Sequence, residues 1–131
     1  MKALAAAVLA LAVPASASAA LEIKLSVAPP SPKAGTRTVV QLRPYWTYKR
    51  ADGSCCRLVP ANVSYPFKVE AVSAAGRAFR IAVRKTKNRY VWAGPFVFRS
   101  AGRWIVRDSQ WGPAYSTHYG AKPRIRVQVK R

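Results

Sequence analysis

An all-β, antiparallel sandwich is the fold that this sequence predicts, and three observations support the prediction. Apolar and polar residues alternate in several short runs, which is typical of strands with one buried face. Turn residues, mainly glycine, proline and serine, separate these runs. No stretch has the period of an amphipathic helix. The length of 131 residues suits a single domain.

Residues 1–19 are predicted to be a cleaved secretory signal peptide. Lys2 supplies the positive start, residues 3–13 form a short apolar core, and A-S-A at 17–19 fits a small-residue cleavage site. The apolar run is too short to cross a bilayer, so we expect no transmembrane span in the mature chain. Residues 20–131 are then the domain, either secreted or held in the cell envelope.

The first two strands are predicted at residues 21–27 and 37–43. The first alternates strictly, and its inward face carries Leu21, Ile23, Leu25 and Val27. Residues 28–35 form a loop, because three prolines there cannot donate to a sheet. The second strand turns Val40 and Leu42 inward. Residues 44–66 are predicted to be a long irregular connection.

The next two strands are predicted at residues 67–73 and 78–84, on either side of an A-A-G turn at 74–76. Alternation places a row of apolar residues on the inner face of the second one, namely Phe79, Ile81 and Val83. A basic turn, K-T-K-N-R at residues 85–89, follows.

The stretch around which the fold is organised is predicted to be a hairpin of strands 90–98 and 103–109. Its tight turn is S-A-G at 100–102, and Gly102 is suited to a positive φ. Four side chains form one apolar layer that needs a second sheet: Phe96, Phe98, Trp104 and Val106. After a loop at residues 110–122, strand 123–130 turns three more apolar residues inward, Ile125, Val127 and Val129.

Seven strands with this spacing favour an immunoglobulin-like sandwich, with strands A, B, C, C′, E, F and G in chain order. Three runs resemble secreted bacterial sandwiches of the YtkA-like and CopC-like copper-handling kind: S-P-K-A-G-T at 31–36, V-E-A-V-S-A-A-G-R at 69–77 and W-A-G-P-F-V-F-R-S-A-G-R-W at 92–104. The resemblance implies this fold and an extracytoplasmic location. It does not extend to copper ligands, because the mature chain keeps one histidine, His118, and no methionine.

The charge of the chain is strongly one-sided. Lysine and arginine number 23 against 4 acids, and loss of Lys2 with the signal lowers the net charge from +19 to +18. Such a surface attracts polyanions. Outside a cell these are acidic polysaccharides, teichoic-type polymers, anionic lipid head groups and nucleic acid, the last as a non-specific ligand. No oligomeric state follows from the sequence.

A ligand surface is predicted where the B–C, C′–E and F–G connections meet at one end of the sandwich. Aromatic rings beside cations suit stacking on sugars or bases, with an anionic group held at the edge. The alternative is that the aromatics fold back as a small core that fixes the loops. The candidate ligand-binding residues are Tyr45, Trp46, Tyr48, Lys49, Arg50, Lys85, Lys87, Arg89, Trp111, Tyr115 and Tyr119.

Six strand arginines offer a second cationic surface. Arg80 and Arg84 share a face of strand C′, Arg103 and Arg107 share one of F, and a third pair, Arg124 and Arg126, shares one of G. An ordinary solvated sheet face explains each of them singly. Since C′, F and G belong to one sheet, together they would form a continuous basic face.

The two cysteines, Cys55 and Cys56, are adjacent, so the usual inter-sheet disulfide is absent. A vicinal disulfide is favoured for an oxidising compartment, although a trans peptide spaces the Cα atoms at about 3.8 Å, below the usual disulfide range. An intermolecular bridge and free thiols are the other options. A metal site is disfavoured, because His118 is the only obvious third ligand.

Catalytic chemistry is not expected. The mature chain has four carboxylates, Glu22, Asp52, Glu70 and Asp108. No nucleophile elbow accompanies the serine, histidine and aspartate that could be assembled into a triad. We therefore expect a secreted, non-enzymatic binding domain for an anionic polymer, without a cofactor. The alternatives are an envelope metal or redox accessory domain using Cys55, Cys56 and His118, and a purely structural module.

Overall fold

The structure is a computed structural model, and it describes residues 20–110 and 122–131. Nine β-strands and no helix occupy these two ranges, which confirms the prediction of an all-β, immunoglobulin-like sandwich. The strands are β1 (Ala20–Ala28), β2 (Arg37–Tyr48), β3 (Arg57–Pro60), β4 (Val69–Val72), β5 (Ala78–Ile81), β6 (Arg84–Lys85), β7 (Trp92–Val97), β8 (Gly102–Asp108) and β9 (Arg124–Val129).

The strands form two antiparallel sheets. One has the order β1-β2-β7-β6, with β3 also paired to β2. Because β1 occupies one edge of β2, β3 and β7 lie one after the other along its opposite edge, at residues 45–48 and 37–42 of β2. The other sheet has the order β5-β4-β8-β9. The first half of the predicted strand C′ therefore shares a sheet with F and G, as β5, β8 and β9.

The core lies between the sheets and is built from the alternating residues that the sequence marks as inward. Leu21, Ile23, Val40 and Leu42 are buried on the side of the five-stranded sheet. The other sheet contributes Val69, Ala71, Ile81, Trp104, Val106, Val127 and Val129. Leu25, Phe79, Val83, Phe96 and Ile125 are only partly buried, although they pack against the core.

The prediction of a hairpin around Gly102 is wrong, because β7 and β8 belong to different sheets. The turn is an arch that carries the chain across the sandwich, and Gly102 has the positive φ expected of it, 118°. Phe98 and Trp104 therefore face each other across the core, with ring centroids 5.2 Å apart, instead of lying in one layer. Tight turns of both kinds use glycine, so the sequence does not distinguish them.

The predicted strand 78–84 is divided in the structure. It ends at Ile81, crosses between the sheets at residues 82–83, and continues as β6 in the five-stranded sheet. Gly94 of β7 is what allows this crossing, since a Cβ atom there would collide with the carbonyl of Ala82. As a result Arg84 lies in the other sheet from Arg80, which corrects the predicted pairing of these two arginines.

The prediction of an irregular connection over residues 44–66 is also wrong. Strand β2 continues to Tyr48, and β3 folds back on it with Tyr48 opposite Arg57. A turn at residues 49–56 joins them, and within it Asp52 Oδ1 accepts hydrogen bonds from the backbone and hydroxyl of Ser54. Pro44 is accommodated within β2, opposite Ile23 of β1.

Candidate functional site

The connections that carry the predicted ligand residues gather at one end of the sandwich. Strands β2 and β8 end there, at Tyr48 and Asp108, while β7 and β9 begin there. The short turns at residues 73–77 and 98–101 lie at the opposite end. We call the first end the loop end and the second the turn end.

Three predicted ligand residues, Tyr45, Trp46 and Tyr48, belong to β2 and not to a loop. Trp46 lies opposite Leu21 and packs against the core. Side chains alternate along a strand, so Tyr45 lies on the outer side of the sheet while its neighbour Trp46 faces inward. The three rings therefore do not form one flat stacking platform.

Two of these rings already have cationic partners from neighbouring strands. Lys24 Nζ lies 5.4 Å from the ring centroid of Tyr45, and the guanidinium of Arg57 lies 5.4 Å from that of Tyr48. The predicted cations Lys49 and Arg50 are exposed in the adjoining turn. Lys24 and Arg57 were not among the predicted ligand residues, because their proximity to these rings depends on strand register, which the chain order does not reveal.

Lys85 was predicted to start the basic turn at residues 85–89, but it is the last residue of β6, and only residues 86–89 follow the strand. Lys85 Nζ lies 5.8 Å from the ring centroid of Trp92 and donates a hydrogen bond to Asn62 Oδ1. Lys87 and Arg89 are exposed, and the Arg89 guanidinium lies 5.2 Å from the ring of Tyr90. The structure thus brings Lys85, Lys87 and Arg89 to the loop end, at the end of β6 and in the short connection that follows it.

A small aromatic core does form at the loop end, from residues that were not among the candidates. Phe67 packs against Tyr65 and Trp92, with ring centroids 4.8 and 5.0 Å away. Tyr65 is buried, and its hydroxyl donates to the carbonyl of Gln110 at 3.1 Å. These contacts fix the connection between β3 and β4 to the end of β8.

The remaining candidates of the F–G connection, Trp111, Tyr115 and Tyr119, lie outside the described residues. The same holds for His118. The ligand-binding role of the three aromatic residues therefore stays a prediction, and so does the alternative in which His118 joins the two cysteines at a metal site.

The outer face of the four-stranded sheet carries a compact set of arginines, which we call the basic sheet face: Arg80, Arg103, Arg107, Arg124 and Arg126. On β8, Trp104, Val106 and Asp108 are buried, so the alternate residues Arg103 and Arg107 point outward. On β9, Val127 and Val129 are buried and both arginines are exposed. Five of the six predicted strand arginines therefore share one surface.

The register of the sheet brings these charges close together. Arg107 lies opposite Arg124 on one side and opposite Glu70 on the other, and Glu70 in turn lies opposite Arg80. Glu70 accepts a hydrogen bond from Arg107 Nε at 2.8 Å. No carboxylate lies opposite Arg126, which pairs with Ile105, or Arg103, which pairs with Gln128.

The basic sheet face also contains an open hollow of about 570 Å³. Arg103, Ser73 and Gln128 supply its polar lining, and Val72 and Ile105 supply its apolar lining. A guanidinium next to a hydroxyl and an amide can bind an anionic group together with neutral hydroxyls. This combination suits a charged sugar unit.

The carboxylates lie on separate elements and do not form a pair. Asp108 is the one that the fold buries, and burial raises the pKa of its carboxyl, although the backbone N–H of Gln110 donates to Oδ1 at 2.9 Å. Its Oδ2 has no hydrogen-bond partner within the described part of the chain. Asp52 is exposed, and the Ser54 hydroxyl and backbone lower the pKa of its carboxyl.

Cys55 and Cys56 are bonded to each other in the exposed turn between β2 and β3, across a cis peptide bond instead of the trans bond assumed above. Residues 20–110 and 122–131 contain no cluster of three or more histidine, cysteine, aspartate or glutamate side chains that could hold a metal ion.

The same two ranges contain no helix long and apolar enough to span a bilayer. Comparison with known proteins found no match to this chain among family models, curated proteins or solved structures.

Proposed function

We propose that the chain is a secreted, non-enzymatic domain that binds an acidic glycan or teichoic-type polymer of the cell envelope or extracellular space through the basic sheet face. The observation that carries the proposal is the placement of five arginines on one sheet surface with Glu70 as their only acidic neighbour in the sheet register.

The energetics of this face favour a bound anion. Like charges directly opposite each other on neighbouring strands are destabilising, and Arg107 and Arg124 occupy such positions. The partly exposed ion pair between Arg107 and Glu70 offsets little of this, since ion pairs at the surface contribute about 0–1 kcal/mol. An anionic group between the guanidinium groups would relieve the repulsion and accept several charge-assisted hydrogen bonds.

The shape of the face favours a polymer over a compact small molecule. Arginines on adjacent strands are separated by about 4.8 Å and those two residues apart on one strand by about 6.8 Å, which gives a flat array with several equivalent anchor points. A chain with regularly repeated phosphate, sulfate or carboxylate groups can occupy several of these at once, and its affinity rises through multivalency.

The test compares two double variants that lose the same charge. Arg124→Gln/Arg126→Gln alters the basic sheet face, whereas Arg43→Gln/Arg84→Gln alters exposed positions on the outer face of the other sheet. Affinity for heparin and for a poly(glycerol phosphate) chain is measured across a salt series. We expect the first variant to bind at least about fivefold more weakly than the second. Its affinity should also depend less steeply on salt concentration, because fewer counterions are released on binding.

Two outcomes would contradict the proposal. Equal weakening in both variants would mean that net charge alone attracts the polymer and that the basic sheet face is not the site. Binding that ignores salt would contradict the electrostatic basis altogether.

A further inference from the structure

A groove at the turn end, between strands β5 and β7, is lined by aromatic residues together with arginines. It consists of two adjoining hollows of about 640 and 500 Å³ that share Phe79 and Arg99. The crossing at residues 82–83 takes the chain away from β5, and β6 pairs only with Trp92 and Ala93. The remainder of β7 therefore has no strand beside it on this edge.

The floor of the groove is aromatic and only partly covered. Phe79 and Phe96 are half-buried, and both pack on the buried Trp104, with ring centroids 5.8 and 6.2 Å away. Val97, which is 38% exposed, extends the apolar lining to the rim. Phe79 and Phe96 were expected to be inward core residues, and their incomplete burial leaves apolar surface accessible here.

The rim of the groove is cationic, and none of its arginines forms an ion pair within the described residues. Four arginines line the hollows, namely Arg37, Arg77, Arg80 and Arg99. The Arg77 guanidinium lies 5.2 Å from the ring centroid of Phe79. No carboxylate lines either hollow, and within the described residues the one ion pair is that of Arg107 with Glu70.

We propose that this groove binds an anionic amphiphile in which a phosphate monoester is joined to a hydrocarbon chain. The hydrocarbon chain covers the exposed parts of Phe79, Phe96 and Val97, which removes apolar surface from water. The phosphate lies among the arginines of the rim, because a phosphate monoester offers three strong acceptor oxygens and up to two charges, whereas a carboxylate offers two oxygens and one charge.

Charge decides against a second copy of this chain as the occupant. The sequence carries a formal net charge of +19, so two copies repel each other, and the rim of the groove would face further cations. The proposal does not depend on polymer binding at the basic sheet face, because Phe79, Phe96 and Val97 do not lie on that face. Arg80 borders both surfaces and is therefore left unchanged in the test.

The test uses Val97→Glu and a matched control, Leu58→Glu. Both residues are exposed on strands to nearly the same extent, 38% and 37%, and both substitutions lower the net charge by one. Leu58 lies opposite Thr47, at the other end of β2 from Arg37 and Val97. Unchanged thermal midpoints would show that both variants fold.

Binding of dodecyl phosphate below its micellar concentration is measured by calorimetry, with inorganic phosphate, dodecanoate and dodecyl maltoside as comparison probes. We expect dodecyl phosphate to bind at least about tenfold more tightly than any of these three, since each lacks one part of the proposed recognition. Val97→Glu should weaken its binding at least about tenfold, because it places a carboxylate beside the phosphate, whereas Leu58→Glu should leave the affinity within about twofold.

Equal affinity for dodecyl phosphate and inorganic phosphate would overturn the role of the apolar floor. Equal affinity for dodecanoate would overturn the choice of phosphate. If Val97→Glu and Leu58→Glu changed the affinity for dodecyl phosphate equally, the groove would not be the binding site. None of these results depends on heparin binding, and the heparin variants Arg124→Gln/Arg126→Gln should bind dodecyl phosphate as the wild type does.

Discussion

Trp104 Nε1 donates a 2.9 Å hydrogen bond to the carbonyl oxygen of Ser100, four residues earlier in the chain. In immunoglobulin-like domains a tyrosine near the start of strand F often bonds the backbone just upstream of it. Here a tryptophan at the corresponding corner makes the equivalent bond and also fills the core, where it is 1% exposed. One side chain therefore fixes the arch between the sheets and packs both of them together.

Trp104→Ala should lower the free energy of unfolding by about 3–5 kcal/mol, a large part of the stability of a small domain. Its ring contacts Phe79, Phe96 and Phe98, and these contacts are lost together. Trp104→Phe keeps an aromatic ring but loses the bond to Ser100, so we expect a smaller loss. Urea denaturation measures both changes.

Trp111→Ala is the comparison for this prediction, since the sequence places Trp111 in the F–G connection and assigns it to ligand binding. We expect its unfolding midpoint to stay close to that of the wild type. A decrease as large as that of Trp104→Ala would mean that Trp111 belongs to the core, and its predicted role in binding would lose its support.

Asp108 should make stability depend on pH in the direction opposite to that of an ordinary ion-paired carboxylate. Burial raises its pKa in the folded state above the ordinary value of 3.8. Between these two pKa values the folded state binds more protons than the unfolded state, so stability falls as pH rises through this window. Above the raised pKa the ionised carboxylate is present in both states, and the loss is complete.

Asp108→Asn removes this titration and keeps an oxygen that can accept from Gln110 N–H. Thermal midpoints are measured from pH 3.5 to 7.5. As pH rises, the midpoint of the variant should increase relative to that of the wild type, and the difference should become constant above the raised pKa of Asp108. Parallel curves would contradict the prediction. The backbone of Lys68 and the charge of Lys122, which both lower the pKa of Asp108, are the same in both proteins. Asp52 is also the same, so its titration does not contribute to the difference.

The sequence predicts the strands well where one face is buried and the alternation is strict. Residues 21–27 and 103–109 are found almost unchanged as β1 and β8. It does not predict which sheet a strand joins, because a glycine turn serves a hairpin and an arch equally well. For the same reason it predicts a hairpin where the turn at Gly102 is an arch between the sheets, and it keeps Arg84 in the same sheet as Arg80.

The candidate surfaces show the same limit. The basic sheet face follows from alternation along single strands, so the sequence predicts five of its arginines. The partners of Tyr45 and Tyr48 depend on register across strands, which is a tertiary property, and they were missed. The groove beside Phe79 was missed because alternation marks a residue as inward but does not show that its strand lies at an open edge of the sandwich.

The cysteine pair should contribute little to stability. A disulfide stabilises chiefly by restricting the unfolded chain, and this effect grows with the length of the closed loop, which is minimal for adjacent residues. Cys55→Ser/Cys56→Ser should therefore shift the thermal midpoint by less than about 2 °C. Alkylation and mass spectrometry with and without reductant check the predicted vicinal bond. Tighter copper binding by the reduced wild type than by this variant would support the metal-accessory alternative.

Gly94→Ala should destabilise the protein although it adds only a methyl group to a strand. The Cβ atom would collide with the carbonyl of Ala82, where the backbone crosses from one sheet to the other, and backbone cannot move aside as a flexible side chain can. We expect the free energy of unfolding to fall by about 1–3 kcal/mol or more, as at other overpacked sites.

Gly53→Ala is the comparison variant. Gly53 has a positive φ of 87° but open space around it, so the cost of the substitution is confined to backbone strain of about 1–2 kcal/mol. Urea denaturation measures both, and native-state hydrogen exchange locates the effect, since Gly94→Ala should lower protection in β5, β6 and β7 while leaving β8 and β9 less affected. If Gly94→Ala were as stable as the wild type, the backbone at residues 82–83 would not lie in close contact with β7. The role of Gly94 in allowing the predicted strand 78–84 to cross between the sheets would then lose its support.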